Sequence, residues 1–147
     1  MSRLPYASAV GSLMYVMVCT RPYIAHAVGV LIRDMSKIGK EHWKTIKRVF
    51  RYLCGTTDYA ICYKGRPGLD RVINVHGFLD AYWVGFLYHR RYTSGYVFNL
   101  FGGAISWMIK RQAVVALSTT EAEYMVATHA SKEAVWLKIL CSGIMFV

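Results

Sequence analysis

The segment that constrains the fold most is residues 6–32, which is almost wholly apolar. Its only full charge is Arg21, and the sequence Thr20-Arg21-Pro22 interrupts it near the middle. Each half is shorter than the roughly 20 apolar residues that a membrane-spanning helix needs. Proline suits the first turn of a helix and disrupts a helix interior. The pattern therefore predicts two buried helices and no membrane span.

The spacing of apolar residues predicts which face each of these helices buries. The first helix is predicted at residues 6–19, and the second is predicted to be capped by Thr20, with Pro22 in its first turn. The stripe expected to be buried on the first helix is Ala7, Val10, Met14, Met17 and Val18. The corresponding stripe on the second helix is Ile24, Ala27, Val28, Leu31 and Met35.

A third predicted helix, at residues 40–53, is the most clearly amphipathic segment, and Gly55 suits its C-terminal end. Its apolar face is formed by Trp43, Ile46, Val49, Phe50 and Leu53. Its other face carries Lys44, Lys47, Arg48 and Arg51. With 18 Lys and Arg against 8 Asp and Glu, the net charge of +10 favours polyanionic partners such as nucleic acid. An ordinary solvated face explains the same four cations equally well.

In the second half of the chain, the residue pattern predicts several strands followed by one long helix. A strand is predicted at residues 59–64, and the turn at residues 65–68 is the expected domain boundary. Further strands are predicted at residues 73–80, 94–101, 104–109 and 113–117, with Lys110-Arg111-Gln112 connecting the last two. A long helix is predicted at residues 120–141, begun by a capping box of Ser118 and Glu121. The expected fold class is α+β, with domains at residues 1–64 and 69–147.

Two acidic residues stand out because acids are scarce. Asp80 ends an apolar strand, a position where an acid most often only solvates a loop. Glu123 shares one stripe of the long helix with small and apolar residues, so it is expected to face the sheet near the helix N-terminus. The other members of that stripe are Ala127, Ala130, Ala134, Leu137 and Cys141. Glu121 is explained by helix capping alone.

The four cysteines, Cys19, Cys54, Cys62 and Cys141, form no CxxC pair, so a zinc site is not expected. They are interpreted as reduced, half-buried thiols. The first residues lack the pattern of a signal peptide. These features favour a cytoplasmic protein.

Seven short motifs occur in order along nearly the whole chain. They are residues 6–15 (YASAVGSLMY), 20–22 (TRP), 51–56 (RYLCGT), 77–83 (GFLDAYW), 90–98 (RRYTSGYVF), 104–107 (AISW) and 116–124 (ALSTTEAEY). This succession resembles the junction between reverse transcriptase and ribonuclease H in copia-type LTR retrotransposon Pol polyproteins. The resemblance implies C-terminal, thumb-like helices of a reverse transcriptase followed by the first half of a ribonuclease H-like fold.

What the resemblance implies for function rests on two carboxylates. Asp80 and Glu123 would be catalytic and metal-binding residues in the Mg²⁺-dependent hydrolysis of RNA in RNA–DNA hybrids. In the family, a third Asp lies on a strand that follows the long helix, whereas residues 141–147 contain no acid. Acids of the family pattern are also replaced by Tyr23, Tyr82, Phe86, Tyr88 and His89. We therefore expect the activity to be lost, and the alternative is a non-catalytic basic chain that binds nucleic acid through charge.

The same resemblance predicts partners other than nucleic acid. The strand with the third Asp would pair with the strand at residues 73–80. Without it, that strand has an open edge, which favours self-association. The remainder of the polyprotein is the other expected partner.

Overall fold

The computed structural model describes residues 5–33, 39–64, 74–82 and 92–144, except the side chains of Arg33 and Tyr82. Its helices are α1 (Tyr6–Cys19), a 3₁₀ turn (Pro22–Ile24), α2 (Ala25–Arg33), α3 (Lys40–Cys54) and α4 (Thr119–Ile144). Its strands are β1 (Val75–Tyr82), β2 (Thr93–Leu100) and β3 (Gly103–Arg111). The chain divides into a helical unit, residues 1–61, and a sheet unit, residues 62–147. The mixed α+β class is confirmed, and the predicted turn at residues 65–68 lies outside the described residues.

The helical unit is held together by one apolar core at the meeting of α1, α2 and α3. Its most deeply buried large side chains are Val10, Leu13, Val28, Leu31 and Ile46. At the edge of this core, Tyr6 packs edge-to-face against Trp43 with ring centroids 5.6 Å apart. The Tyr6 hydroxyl donates a hydrogen bond to the Leu31 carbonyl at 3.3 Å. The core therefore joins all three helices.

The buried face of α1 differs from the predicted stripe. Tyr6, Ala9, Val10 and Leu13 are buried, whereas Ala7, Met14 and Val18 are exposed and Met17 is half-buried. Val10 is buried as predicted, and the rest of the predicted stripe was wrong. Because α1 is apolar on nearly every side, the spacing of its apolar residues does not single out one face. Packing against α2 and α3 selects the face instead.

The junction between α1 and α2 also differs from the prediction. Thr20 does not cap the second helix, because its hydroxyl donates to the Val16 carbonyl and ends α1. Pro22 begins the 3₁₀ turn that precedes α2. The buried positions Ile24, Val28 and Leu31 are confirmed, and Met35 lies outside the described residues. For α3, both the buried face and the end at Gly55 are confirmed.

The sheet unit is a three-stranded antiparallel sheet in the order β1-β2-β3, with α4 packed on one face. Phe98, Ala130 and Leu137 form its core. A two-residue turn joins β2 to β3, with φ of 51° at Phe101 and 81° at Gly102. Two successive left-handed residues are typical of the tight hairpin turn that matches the twist of paired strands.

Two predicted strands are absent from the described residues. Residues 59–64 form no strand, although the Lys64 amide donates to the Phe101 carbonyl at 2.8 Å. Residues 113–117 are an irregular segment with only Ala116 buried. Lys110 and Arg111 belong to β3 rather than to a connection, because β3 pairs with β2 as far as Arg111.

Two further sequence expectations concern membrane-spanning helices and the cysteines. Within the described ranges, no helix combines the length and apolar character needed to cross a membrane. All four cysteines are free. Cys141 is half-buried as predicted, but Cys19, Cys54 and Cys62 are exposed because they lie at helix ends or outside regular structure.

Candidate functional site

The two predicted site carboxylates lie beside one cavity in the sheet unit. Asp80 is near the end of β1 and Glu123 is near the beginning of α4. Both side chains are exposed, and both line a cavity of about 480 Å³. The other residues around it are Leu79, Ala81, Thr120, Tyr124, Val126 and Ala127. The fold thus brings together two acids that are 43 positions apart in the sequence.

Strand pairing and helix capping position these two acids. Asp80 lies opposite Gly95 of β2, so no side chain from that position covers it. The Glu121 amide donates to Ser118 Oγ at 3.1 Å, and the Leu117 amide donates to Glu121 Oε2 at 2.7 Å. The predicted capping role of both residues is confirmed, although the Glu121 carboxylate accepts from Leu117 rather than from Ser118. This cap fixes the first turn of α4 beside Glu123.

Glu123 was predicted to face the sheet, and the structure places it at the margin of the helix face instead. The face is centred on Ala122, Val126, Ala130 and Leu137, which are buried. Glu123 lies about 100° around the helix axis from Ala122, since each residue advances by that angle. It therefore reaches the cavity from the rim and keeps its exposure.

The available ligands limit what this cavity can bind. Asp80 and Glu123 supply hard oxygen atoms, which Mg²⁺ prefers. No cluster of three or more Asp, Glu, His or Cys suited to a metal occurs in the part of the chain that the structure describes. Two carboxylates supply too few ligands for a pair of Mg²⁺ ions about 4 Å apart.

Gln112 is a buried polar residue beside this site that the sequence did not reveal. It is 6% exposed, and its Nε2 donates to Ser94 Oγ at 3.0 Å and to the Ala122 carbonyl at 2.9 Å. It thereby joins β2 to the first turn of α4, next to Glu123. Its Oε1 is buried without a hydrogen-bond partner. No spacing rule distinguishes this glutamine from a loop residue.

A second polar group lies where β2 and β3 meet α4. Ser106 Oγ donates to Glu133 Oε1 at 2.6 Å. Burial raises the pKa of Tyr96, the nearby Glu133 carboxylate raises that pKa further, and a hydrogen bond with Ser106 opposes the shift. The tyrosine therefore stays protonated at neutral pH. The hydrogen bond between Ser106 and Glu133 joins α4 to the sheet, and neither of its residues lines the cavity beside Asp80 and Glu123.

The four predicted nucleic-acid-binding residues lie on the exposed side of α3. Lys44, Lys47, Arg48 and Arg51 are all exposed, opposite the face that carries Ile46 and Val49. Lys44 Nζ forms an ion pair with Glu41 at 2.6 Å, which offsets part of its charge. An exposed pair of this kind contributes little stability. The arrangement presents cations to solvent on one helix of the helical unit.

Comparison with known proteins gives relatives over nearly the whole chain. The chain is 52% identical over 138 residues to a retrovirus-related Pol polyprotein from transposon TNT 1-94 of Nicotiana tabacum. It is 38% identical over 132 residues to one from transposon RE2 of Arabidopsis thaliana. It is also 48% identical over 139 residues to secreted RxLR effector protein 161 of Plasmopara viticola, covering 95% of each chain. The chain belongs to the family that these Pol segments and effector protein 161 share.

The lengths of the relatives differ greatly within this Pol-related family. The matched region is 94% of this chain and 10% of the TNT 1-94 polyprotein. For RE2, the corresponding shares are 90% and 9%. The chain thus spans about a tenth of the Pol polyproteins that it matches. No protein-family model matches the chain, and no solved structure matches it.

Proposed function

We propose that this chain corresponds to the junction between reverse transcriptase and ribonuclease H in a copia-type Pol polyprotein. The observation that carries the proposal is the shared cavity of Asp80 and Glu123, the acids of two of the seven motifs. The family relationship supports the Pol assignment, and the order of the motifs supports the junction. In this proposal the helical unit is the C-terminal part of the reverse transcriptase.

We propose that the sheet unit contains an incomplete metal site. Mg²⁺, where bound by a complete ribonuclease H site, activates water and stabilises the leaving oxygen. Asp80 and Glu123 bring negative charge to one cavity, which attracts a divalent cation. They do not supply the ligands of a two-ion site, so we propose that hydrolysis of hybrids is lost in this chain.

Purified protein is expected to leave a labelled RNA–DNA hybrid intact in Mg²⁺ or Mn²⁺, because two carboxylates do not hold two ions. The measurement is gel separation of the labelled RNA after long incubation. Asp80→Asn and the control Asp58→Asn, which changes an exposed acid of the helical unit, should behave like the parent. Metal-dependent cleavage that disappears in Asp80→Asn and persists in Asp58→Asn would contradict the loss of activity.

The function proposed to remain is weak nucleic-acid binding by the basic face of α3. Its support is the exposure of Lys44, Lys47, Arg48 and Arg51 in a chain of net charge +10. Effector protein 161 is matched over 95% of its own length, so a chain of this extent occurs as a separate protein. Binding through charge needs no complete active site.

Changing both Lys47 and Arg51 to Glu is expected to weaken binding to all duplex sequences alike. Each lost phosphate contact reduces the salt slope of log affinity by roughly 0.9, so the slope should fall by roughly 2. Fluorescence anisotropy at several salt concentrations measures both quantities. The matched control changes Lys132 and Lys138 of α4, which are also exposed, to Glu. Equal losses in the two variants would show net charge, and not the α3 face, to be responsible.

A further inference from the structure

The outer edge of β1 is unpaired in the described part of the chain. β1 pairs with β2 along its whole length, from Val75 to Tyr82, and with no other described strand. Phe78 is 59% exposed and Leu79 is 53% exposed. His76 and Asp80 are exposed on the same strand. An edge with unpaired backbone groups and large exposed apolar side chains recruits another strand unless something covers it.

We propose that β1 pairs in the antiparallel direction with β1 of a second copy, about a twofold axis through Phe78. The two three-stranded sheets then form one continuous six-stranded sheet. This pairing specifies an occupant and a register for the open edge, and it goes beyond the proposed nucleic-acid function.

The geometry of antiparallel pairing restricts the register. Alternate residues of a strand direct their N–H and C=O groups to opposite edges. Because β2 binds one set, the second β1 binds the other set, whose residue numbers are either all odd or all even in both copies. The residue numbers of two directly opposed positions must therefore add to an even number. The twofold axis then passes through a residue rather than between two residues.

Pairing between polar side chains selects one register from this restricted set. An axis through Phe78 places His76 opposite the second copy's Asp80, and the symmetry creates this pair twice. An axis one residue away, through Gly77 or Leu79, places Asp80 opposite Asn74 or opposite Phe78. The His76 imidazole can donate a hydrogen bond to a carboxylate that lies directly across from it, and such polar pairs stabilise strand pairing. The Phe78 axis is also the one that overlaps all of residues 74–82.

Side-chain packing agrees with the same register. The two exposed Phe78 side chains meet at the axis, where directly opposed aromatic residues stabilise paired strands. Leu79 lies opposite the second copy's Gly77. The Phe98 ring lies so close to Gly77 that a Cβ there would be 2.6 Å from Phe98 Cε1. Leu79 of the second copy would therefore lie across Gly77 from the nearly buried Phe98 ring. The net charge opposes association, but salt near 0.15 M limits its reach to about 8 Å.

Cysteine crosslinking tests the register directly, in a background with Cys19, Cys54, Cys62 and Cys141 changed to Ser. Phe78→Cys should form a disulfide-linked dimer under mild oxidation, since directly opposed Cα atoms lie about 5 Å apart. Leu79→Cys should not, because its two copies lie about 8 Å apart, beyond disulfide reach. His76→Cys and Asp80→Cys should crosslink to each other when mixed, and neither should crosslink to itself.

Sedimentation equilibrium tests the His76–Asp80 pairs without crosslinking. Asp80→Lys should weaken dimerisation by roughly tenfold, since it removes the carboxylate acceptor from both His76–Asp80 pairs. Adding His76→Asp places a carboxylate opposite each introduced lysine and should restore the dimer. A parent protein that is monomeric at every concentration would overturn the proposal. So would a dimer in which Leu79→Cys crosslinks and Phe78→Cys does not, or one that Asp80→Lys leaves unchanged.

Discussion

The Leu13→Ala variant is expected to lose about 3 kcal/mol of unfolding free energy in the helical unit. Leu13 is 0% exposed and lies in the core where α1 meets the other two helices. Truncating such a leucine removes its transfer free energy and leaves a cavity that the surrounding helices fill only in part. Urea unfolding with hydrogen exchange read at amides of α1 to α3 measures the loss in this unit alone.

Val18→Ala is the matched control, because Val18 belongs to the same helix and is 63% exposed. A surface truncation of this kind is expected to change the unfolding free energy by less than about 0.5 kcal/mol. The two variants also distinguish the observed face of α1 from the face that sequence spacing predicted. A larger loss at Val18 than at Leu13 would show that the predicted stripe, with Met14 and Val18, is the buried one.

The contrast between α1 and α3 shows where sequence patterns determine packing. In α3, cations alternate with apolar residues, so the phase of the helical period is clear and Ile46 and Val49 are buried as predicted. In α1, the residues on every side are apolar or small, and several phases fit equally well. The buried face then depends on contacts with α2 and α3, which the spacing of residues within α1 does not reveal.

The strands show a similar division between local preference and tertiary pairing. Residues 94–101 and 104–109 were predicted as strands and lie within β2 and β3 or at their ends, joined by a tight turn that the Gly102 position favours. Residues 113–117 have equally strong strand preference, yet they have no strand partner in the described sheet. Strand preference identifies candidates, and only pairing makes them strands.

At the candidate site too, the sequence identifies residues, whereas their arrangement depends on the fold. The motifs around Asp80 and Glu123 single out the two acids, but their common cavity depends on how α4 lies over β1. Gln112 carried no such signal, because it was interpreted as part of a connection. Its burial follows from β3 continuing to Arg111 and from the position of the first turn of α4.

Gln112→Leu is expected to destabilise the sheet unit by about 1–2 kcal/mol and to loosen the first turn of α4. Leucine has a similar size but donates no hydrogen bond to Ser94 Oγ or to the Ala122 carbonyl, and a buried acceptor left unpaired costs about 1–3 kcal/mol. The variant also removes Oε1, which is buried without a partner, so the expected loss lies in the lower part of that range. Hydrogen exchange at the first amides of α4 should become faster.

A double-mutant cycle with Ser94→Ala distinguishes this contact from a general packing defect. Ser94 is 3% exposed, so Gln112→Leu leaves a buried hydroxyl without its donor. Removing that hydroxyl in the double variant should recover part of the loss, and the two changes together should cost less than their sum. Ser106→Ala, at the other contact between the sheet and α4, should instead add to Gln112→Leu independently, because its partner is Glu133. If the Ser94 cycle were additive as well, the hydrogen bond between Gln112 and Ser94 would not be what holds the first turn of α4 to β2 beside Glu123.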